Sequence, residues 1–305
     1  MKILVTGASG ILGSRLLLPL QKLLYGTVRV LEHNSTISLS GIERVKGDLL
    51  DLETLKNACC DVDVVVHLAA VTRTQRPNIY FQINCEGTRN LLKACEYCGV
   101  SRFVFLSSAT ATSRYSGGAY AESKKLAEEI VLQFSLNSSI IRLSEIYGPE
   151  TKEGVSSLID MMKKYPLIPV IGDGDYVVCP VFIDDVIDCL LDLIICQSKK
   201  KRNVCSICGP ETITFVDLIL RLNKCLQRGT KVVLVPRWLA KISIRLAGLL
   251  GLGIAVPDQI PRLLCEKIYH SPDAPLPFGY RPRSIEVGTS SCSQYPAYKG
   301  DSGIH

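Results

Sequence analysis

Tyr120 and Lys124 stand four residues apart in a stretch with helical patterning, so both side chains fall on one helix face. A phenol is a weak base at neutral pH, and a neighbouring ammonium favours its ionised form. Lys124 is expected to supply that charge. Upstream, the apolar run Phe103-Val104-Phe105-Leu106 leads into Ser107-Ser108, which puts a hydroxyl at a strand's carboxyl end. Ser108, Tyr120 and Lys124 together suit proton transfer at a secondary alcohol or ketone, the serine steadying the reacting oxygen. A second Tyr-x-x-x-Lys, Tyr295 to Lys299, lies in a Ser- and Gly-rich terminal stretch without such context.

Hydride chemistry needs a carrier, and the chain opens on a candidate site for one. The strand-like Ile3-Leu4-Val5 empties into Thr6-Gly7-Ala8-Ser9-Gly10-Ile11-Leu12-Gly13, followed by an amphipathic helical pattern. Gly7 suits a tight turn, Gly10 a close approach of backbone to a pyrophosphate, and Gly13 close packing of helix on strand. Ser9, Ile11 and Leu12 complete the cradle at the helix N-terminus, where free N–H groups attract phosphate. The second strand pattern ends in Glu32, 19 residues after Gly13, placed to accept ribose hydroxyls and to repel a 2′-phosphate. The expected cofactor is therefore NAD rather than NADP, a preference that His33, Arg29 and Arg15 would soften.

The elements that must position these groups alternate. Strand patterns at 27–31, 42–46, 62–67, 102–106, 139–142 and 204–208 interleave with helical patterns at 11–24, 52–58, 79–99, 119–134 and 184–196. That rhythm predicts an α/β fold, a Rossmann-like doubly wound parallel sheet. Beyond residue 148 it breaks: 148–180 and 228–282 hold 11 of the 15 prolines, which predicts a smaller C-terminal substrate-binding lobe. The expected division is an NAD(P)-binding domain over 1–170 with a strand returning near 203–208, a substrate-binding lobe over 171–288, and a flexible tail over 289–305.

A chain of 305 residues, 47% hydrophobic with a formal charge of +6, can bury a large core. The basic run Lys199-Lys200-Lys201-Arg202 reads as a solvated loop, and no nucleic-acid partner is expected. The apolar stretch 246–256, preceded by Lys241 and Arg245, is too short to span a bilayer. It is expected to be a core helix, with a pocket wall or an interfacial membrane anchor over 241–256 as alternatives. Thirteen scattered cysteines and no secretory leader point to a reducing, cytoplasmic setting. Two Cys-x-x-Cys pairs, Cys95/Cys98 and Cys205/Cys208, fall in helical and strand patterns that do not converge, so no metal site is expected.

Nine motifs in order resemble the short-chain dehydrogenase/reductases, in particular their extended, epimerase/dehydratase-like branch: TGASGILG at 6–13, GDLLD at 47–51, HLAA at 67–70, NCEGTRNLLKAC at 84–95, FVFLSSAT at 103–110, YAESK at 120–124, IYGP at 146–149, FIDDV at 182–186 and FGYRP at 278–282. The resemblance implies an NAD(P)-dependent oxidoreductase acting on a small-molecule substrate. It places Asp48 and Leu49 beside the adenine and Leu68, Ala69 and Ala70 beside the pyrophosphate and ribose. Asn84 becomes a proton relay, Ser108, Tyr120 and Lys124 the catalytic set, and Lys124 also a ligand of the nicotinamide ribose. The helices near 79–99 and 119–134 resemble those that form a homodimer interface.

Two departures bear on the substrate. Sugar-nucleotide members usually carry Asn where this chain has Glu145, and commonly Arg where it has Val178. A carboxylate without a cation is a poor cradle for a diphosphate. The expected substrate is therefore an apolar or simple alcohol or ketone, such as a sterol-like or lipid-derived one. A nucleotide-sugar epimerase or dehydratase, and a non-catalytic NAD(P)-binding scaffold or redox sensor, are the alternatives.

Overall fold

The computed structural model describes residues 1–23, 26–114, 117–195, 202–240, 242, 258–270 and 279–292. The apolar stretch 246–256, most of the Lys199–Arg202 run and the Tyr295–Lys299 pair lie outside them.

Seven parallel strands form the central sheet, in the order β11-β6-β5-β4-β1-β2-β3. They are β1 (Ile3–Thr6), β2 (Val28–Glu32), β3 (Glu43–Lys46), β4 (Val64–His67), β5 (Arg102–Ser108), β6 (Asn137–Leu143) and β11 (Arg202–Ile207). The register runs Ile3 opposite Val28 on one side of β1 and opposite Val64 on the other. Strand side chains alternate between faces, and the core divides accordingly. Ile3, Val5, Val64, Val66 and Val104 pack under α1 (Ile11–Leu23) and α7 (Ile183–Ile195). Leu4, Val65, Phe103 and Phe105 pack under α2 (Leu52–Cys59), α4 (Thr88–Cys98) and α5 (Ala119–Gln133). Apolar residues on both faces make the strands read as nearly continuous hydrophobic runs, as buried parallel strands do.

A smaller core holds the lobe. Val155, Leu158 and Met162 of α6 (Gly154–Lys164) meet Leu218, Ile219 and Leu222 of α8 (Phe215–Leu226). Three short pairs surround it: β7 (Ile146–Tyr147) with β10 (Val181–Phe182), β8 (Leu167–Ile171) with β13 (Lys231–Val235), and β9 (Val177–Val178) with β12 (Ile213–Thr214). The expected tail from 289 starts inside order: residues 289–292 finish a helix, Ile285–Cys292, and Thr289 is buried.

One feature escaped the periodicity. The helical run from α3 (Pro77–Tyr80) to α4 is π-helical over Phe81–Gly87. An extra residue per turn shifts the face that Asn84 presents, a device common at functional sites.

Candidate active site

The strand-to-helix turn is built so tightly that side chains are excluded. Gly7 has φ +71°, and a Cβ there would stand 2.5 Å from the Ala69 amide nitrogen. A Cβ on Gly13 would collide with the Gly7 carbonyl oxygen and the Ala8 Cα. Gly10 is less confined, its Cβ meeting Gly7 O at 3.2 Å. The first turn of α1 carries no acidic residue, so the helix terminus and the bare backbone ahead of it suit a pyrophosphate. Ser9 and Ile11 are solvent-accessible beside it, while Leu12 turns into the core.

Glu32 ends β2 and is nearly buried, with Oε1 accepting from the Ile37 amide at 2.8 Å. Asp48 follows β3 and folds its own turn, accepting from Leu50 N at 2.9 Å. Leu49 is buried against the helix carrying Gly87. Leu68, Ala69 and Ala70 leave β4 half-buried beside Gly7. Two expected modifiers of cofactor choice are engaged elsewhere. Arg29 donates to Ala58 O, Cys60 O and Glu43, and Arg15 to Asp184 and Pro149 O.

Beneath this loop runs a chain of buried hydrogen bonds. The Thr88 hydroxyl donates to Asn84 O at 2.7 Å, so its oxygen accepts from His67 Nε2 at 3.0 Å. His67 Nδ1 is then left to accept from the Thr6 hydroxyl at 2.7 Å. This arrangement needs a neutral imidazole. Burial, with the Lys124 charge adding to it, pushes the His67 pKa down to about 3.

Among the described residues, the side chain of Asn84 makes no hydrogen bond to Lys124. Its amide holds Val71 at both backbone atoms, 2.8 Å to N and 3.1 Å to O, and donates to Ser123 Oγ at 3.0 Å. Tyr80 and Arg262 tie the same loop, at Thr74 N and Thr72 O.

Tyr120 lies in the first turn of α5, nearly buried, with Ser108 favouring its ionised form. Ser108 in turn accepts from the Thr110 hydroxyl at 2.9 Å at the end of β5. The source of charge differs from the sequence expectation. Lys124 Nζ turns to the Leu106 carbonyl at 2.7 Å and lies over the Phe105 ring. Burial lowers its pKa to about 8, against the pull of Glu128. The cation on Tyr120 is Arg262, whose guanidinium carbon sits 3.9 Å from the ring centroid. Burial raises the Tyr120 pKa on balance, with Arg262 and then Ser108 opposing.

Arg262 belongs to the helix Gln259–Leu264, which also brings Asp258 to Tyr120 N at 3.5 Å, at the amino end of α5. The same segment rewrites the reading of Glu145. Lys267 Nζ donates to Glu145 Oε1 at 3.0 Å, Tyr269 OH to the same oxygen at 2.7 Å, and Cys179 N to Oε2 at 3.1 Å. Burial would raise the Glu145 pKa, yet these partners, Lys267 foremost, hold it below the usual carboxylate value. It is therefore no bare anion. Val178 lies buried in β9 opposite Ile213. No local spacing marked Arg262, Lys267 or Tyr269; the one signal was the change of composition in the segment that carries them.

Residues 3–207 match the model of the NAD dependent epimerase/dehydratase family. The 2-alkyl-3-oxoalkanoate reductase of Stenotrophomonas maltophilia is 30% identical over 61% of this chain and 62% of its own. The decarboxylating sterol-4-alpha-carboxylate 3-dehydrogenase of Saccharomyces cerevisiae is 31% identical over 46% of each chain. These alignments thus span under two thirds of the relatives' lengths. Among solved structures, the UDP-glucuronic acid 4-epimerase of Bacillus cereus in complex with NAD superposes with a TM-score of 0.66 at 25% identity, covering 78% of this chain and 88% of that one.

Proposed function

The chain belongs to the NAD-dependent epimerase/dehydratase family, and from that premise we propose that it moves hydride between the nicotinamide and a secondary alcohol or ketone bearing a carboxylate on the neighbouring carbon. The two relatives' names share that pattern: a 3-oxo group beside a substituted carbon and its carboxylate, and a sterol oxidised at C3 with a carboxylate on C4. One observation carries the assignment to this chain, the guanidinium of Arg262 lying 3.9 Å above the ring of Tyr120.

Tyr120 takes the alcohol proton at its phenolic oxygen, or returns one to the ketone, while Ser108 holds the same oxygen. Arg262 has five N–H donors, of which Nη1 is committed to Thr72 O at 2.7 Å. The others face a carboxylate in the bidentate manner that guanidinium favours. The same charge favours the phenolate against burial. Lys124 is held by Leu106 O with its charge weakened by burial, and would hold the nicotinamide ribose of a bound cofactor. When bound, NAD supplies the hydride acceptor or donor; Gly7, Gly10 and Gly13 admit its pyrophosphate, and Glu32 its adenosine ribose.

The test is steady-state turnover of short 3-oxo and 3-hydroxy acids with NADH or NAD, beside their methyl esters and a UDP-sugar. Tyr120→Phe is expected to lower kcat by about 10²–10⁴. Arg262→Ala should raise KM for the acids while leaving KM for the esters nearly unchanged, and lower kcat for both as the phenolate loses its cation. Equal turnover of acid and ester sinks the carboxylate assignment, and turnover of the UDP-sugar alone replaces it with epimerase or dehydratase chemistry.

A further inference from the structure

Cys208, read from the sequence as one half of a Cys-x-x-Cys pair with Cys205, has different company in the fold. It follows the end of β11, where it meets Cys179, from the link between β9 and β10, and His270, eight residues beyond Arg262. We propose that Cys179, Cys208 and His270 form a zinc-binding site that fastens the 258–270 segment to the sheet.

The ligand atoms of these three residues all lie within 4.8 Å of one another. His270 Nε2 is nearly equidistant from the two sulfurs, 3.9 Å from Cys179 Sγ and 4.0 Å from Cys208 Sγ. A tetrahedral zinc ion, with bonds of about 2.3 Å to sulfur and 2.0 Å to nitrogen, sets its sulfur–nitrogen edges near about 3.5 Å. The sulfur–nitrogen edges therefore need to shorten by about half an ångström on binding. Two thiolates and one imidazole are a borderline-soft set that selects zinc over magnesium or calcium.

Access agrees with this. Both sulfurs are buried, and His270 is exposed, so an ion enters from the histidine side. Cys179 itself donates to Glu211 O at 3.2 Å. Ion binding displaces both thiol protons, so uptake releases protons and weakens as pH falls. Three protein ligands leave a fourth position for water.

Position gives the site its consequence. Tyr269, directly before His270, and the amide of Cys179 both bond Glu145. An ion joining Cys179 to His270 thus clamps the segment that aims Arg262 at Tyr120.

The experiment uses the full chain, reduced with a phosphine, stripped with chelator and titrated with Co2+ and then Zn2+. One equivalent of Co2+ should give thiolate charge-transfer absorption and tetrahedral d–d bands, both abolished by one equivalent of Zn2+, with a rise in melting temperature. Cys208→Ser and the exposed-site variant His270→Ala should each weaken Zn2+ binding at least about tenfold, whereas the remote Cys60→Ser leaves it unchanged. Melting curves of the stripped variants show whether the fold is retained. No charge-transfer band in the reduced wild type, or equal Zn2+ affinity in wild type and a folded His270→Ala, overturns the site. So does a Cys179–Cys208 disulfide that survives reduction. None of these readouts depends on turnover, so the site stands or falls apart from the proposed substrate.

Discussion

The two walls of the proposed active site are held by different forces. On the proposed cofactor side, backbone touches backbone: Gly7 lies against Ala69, Gly13 against Gly7 and Ala8, and beneath that loop hydroxyls and a neutral imidazole carry the polar contacts. On the substrate side, charged groups are buried and held across long sequence separations, Glu145 by the Lys267 ammonium at 122 residues' distance and Asp258 by the Tyr120 amide at 138. Steric fit is unforgiving of one added atom, and matched charge is unforgiving of one lost partner. The first wall carries the kind of glycine turn by which Rossmann folds take a pyrophosphate; the second can be re-specified by changing a few side chains.

Removing a partner from the charged wall is the most severe disruption. The Lys267 side chain is 2% exposed and that of Glu145 22%. Lys267→Met is expected to cost about 3 kcal/mol, because an unpaired carboxylate is left in a poorly hydrated site. The sign with pH follows from the lowered Glu145 pKa. In the wild type the pair's contribution is present above the ordinary carboxylate value and lost as pH falls through the depressed one. In the variant burial acts unopposed by the ammonium, so the deficit is greatest at neutral pH and shrinks on acidification. Adding Glu145→Gln should recover most of the loss. Urea denaturation of the single and double variants at neutral and acid pH measures this, and a deficit independent of pH would show that packing rather than charge was removed.

On the steric wall, Gly13→Ala forces a methyl onto the Gly7 carbonyl. The expected loss is about 1–3 kcal/mol of stability, the range for overpacking, together with loss of NAD binding, because the loop must open to admit the methyl. Isothermal titration with NAD on the folded variant checks it. Retained affinity would mean that the turn is softer than its contacts imply, and the contrast between the walls would narrow.

The same contrast decides what was legible in the sequence. Buried parallel strands and the glycines between β1 and α1 are local patterns, and the strand and helix positions followed from them to within a few residues. The pairing of Ser108 with Tyr120 followed because both lie on neighbouring elements of one βα unit. The role of Glu145 was misread because its compensating cation is remote, and a lone carboxylate in a sequence carries no sign of its partner. Arg262 and His270 were invisible for the same reason. The π-turn at Phe81–Gly87 changes register without changing composition, so periodicity could not reveal how Asn84 is turned toward Val71.

The smallest effect probes the one titratable group among the buried polar contacts beneath the glycine loop. His67 is held neutral by burial, its pKa near 3, between the hydroxyls of Thr6 and Thr88. The unfolded chain takes up a proton at this residue below about pH 6.5 and the folded chain does not. Stability is therefore fully present above that value and falls by about 1.4 kcal/mol per pH unit below it, to about 2 kcal/mol lost at pH 5. His67→Gln keeps a donor and an acceptor in the ring's place but has no proton to gain. Its stability is expected to be lower at pH 8 and to lack that slope, so the two curves converge as the pH falls. Curves that stay parallel from pH 8 to 5 would mean that Thr6 or Thr88 can turn to accept a second imidazole proton, and the cofactor wall would then share the charge tolerance assigned here to its opposite.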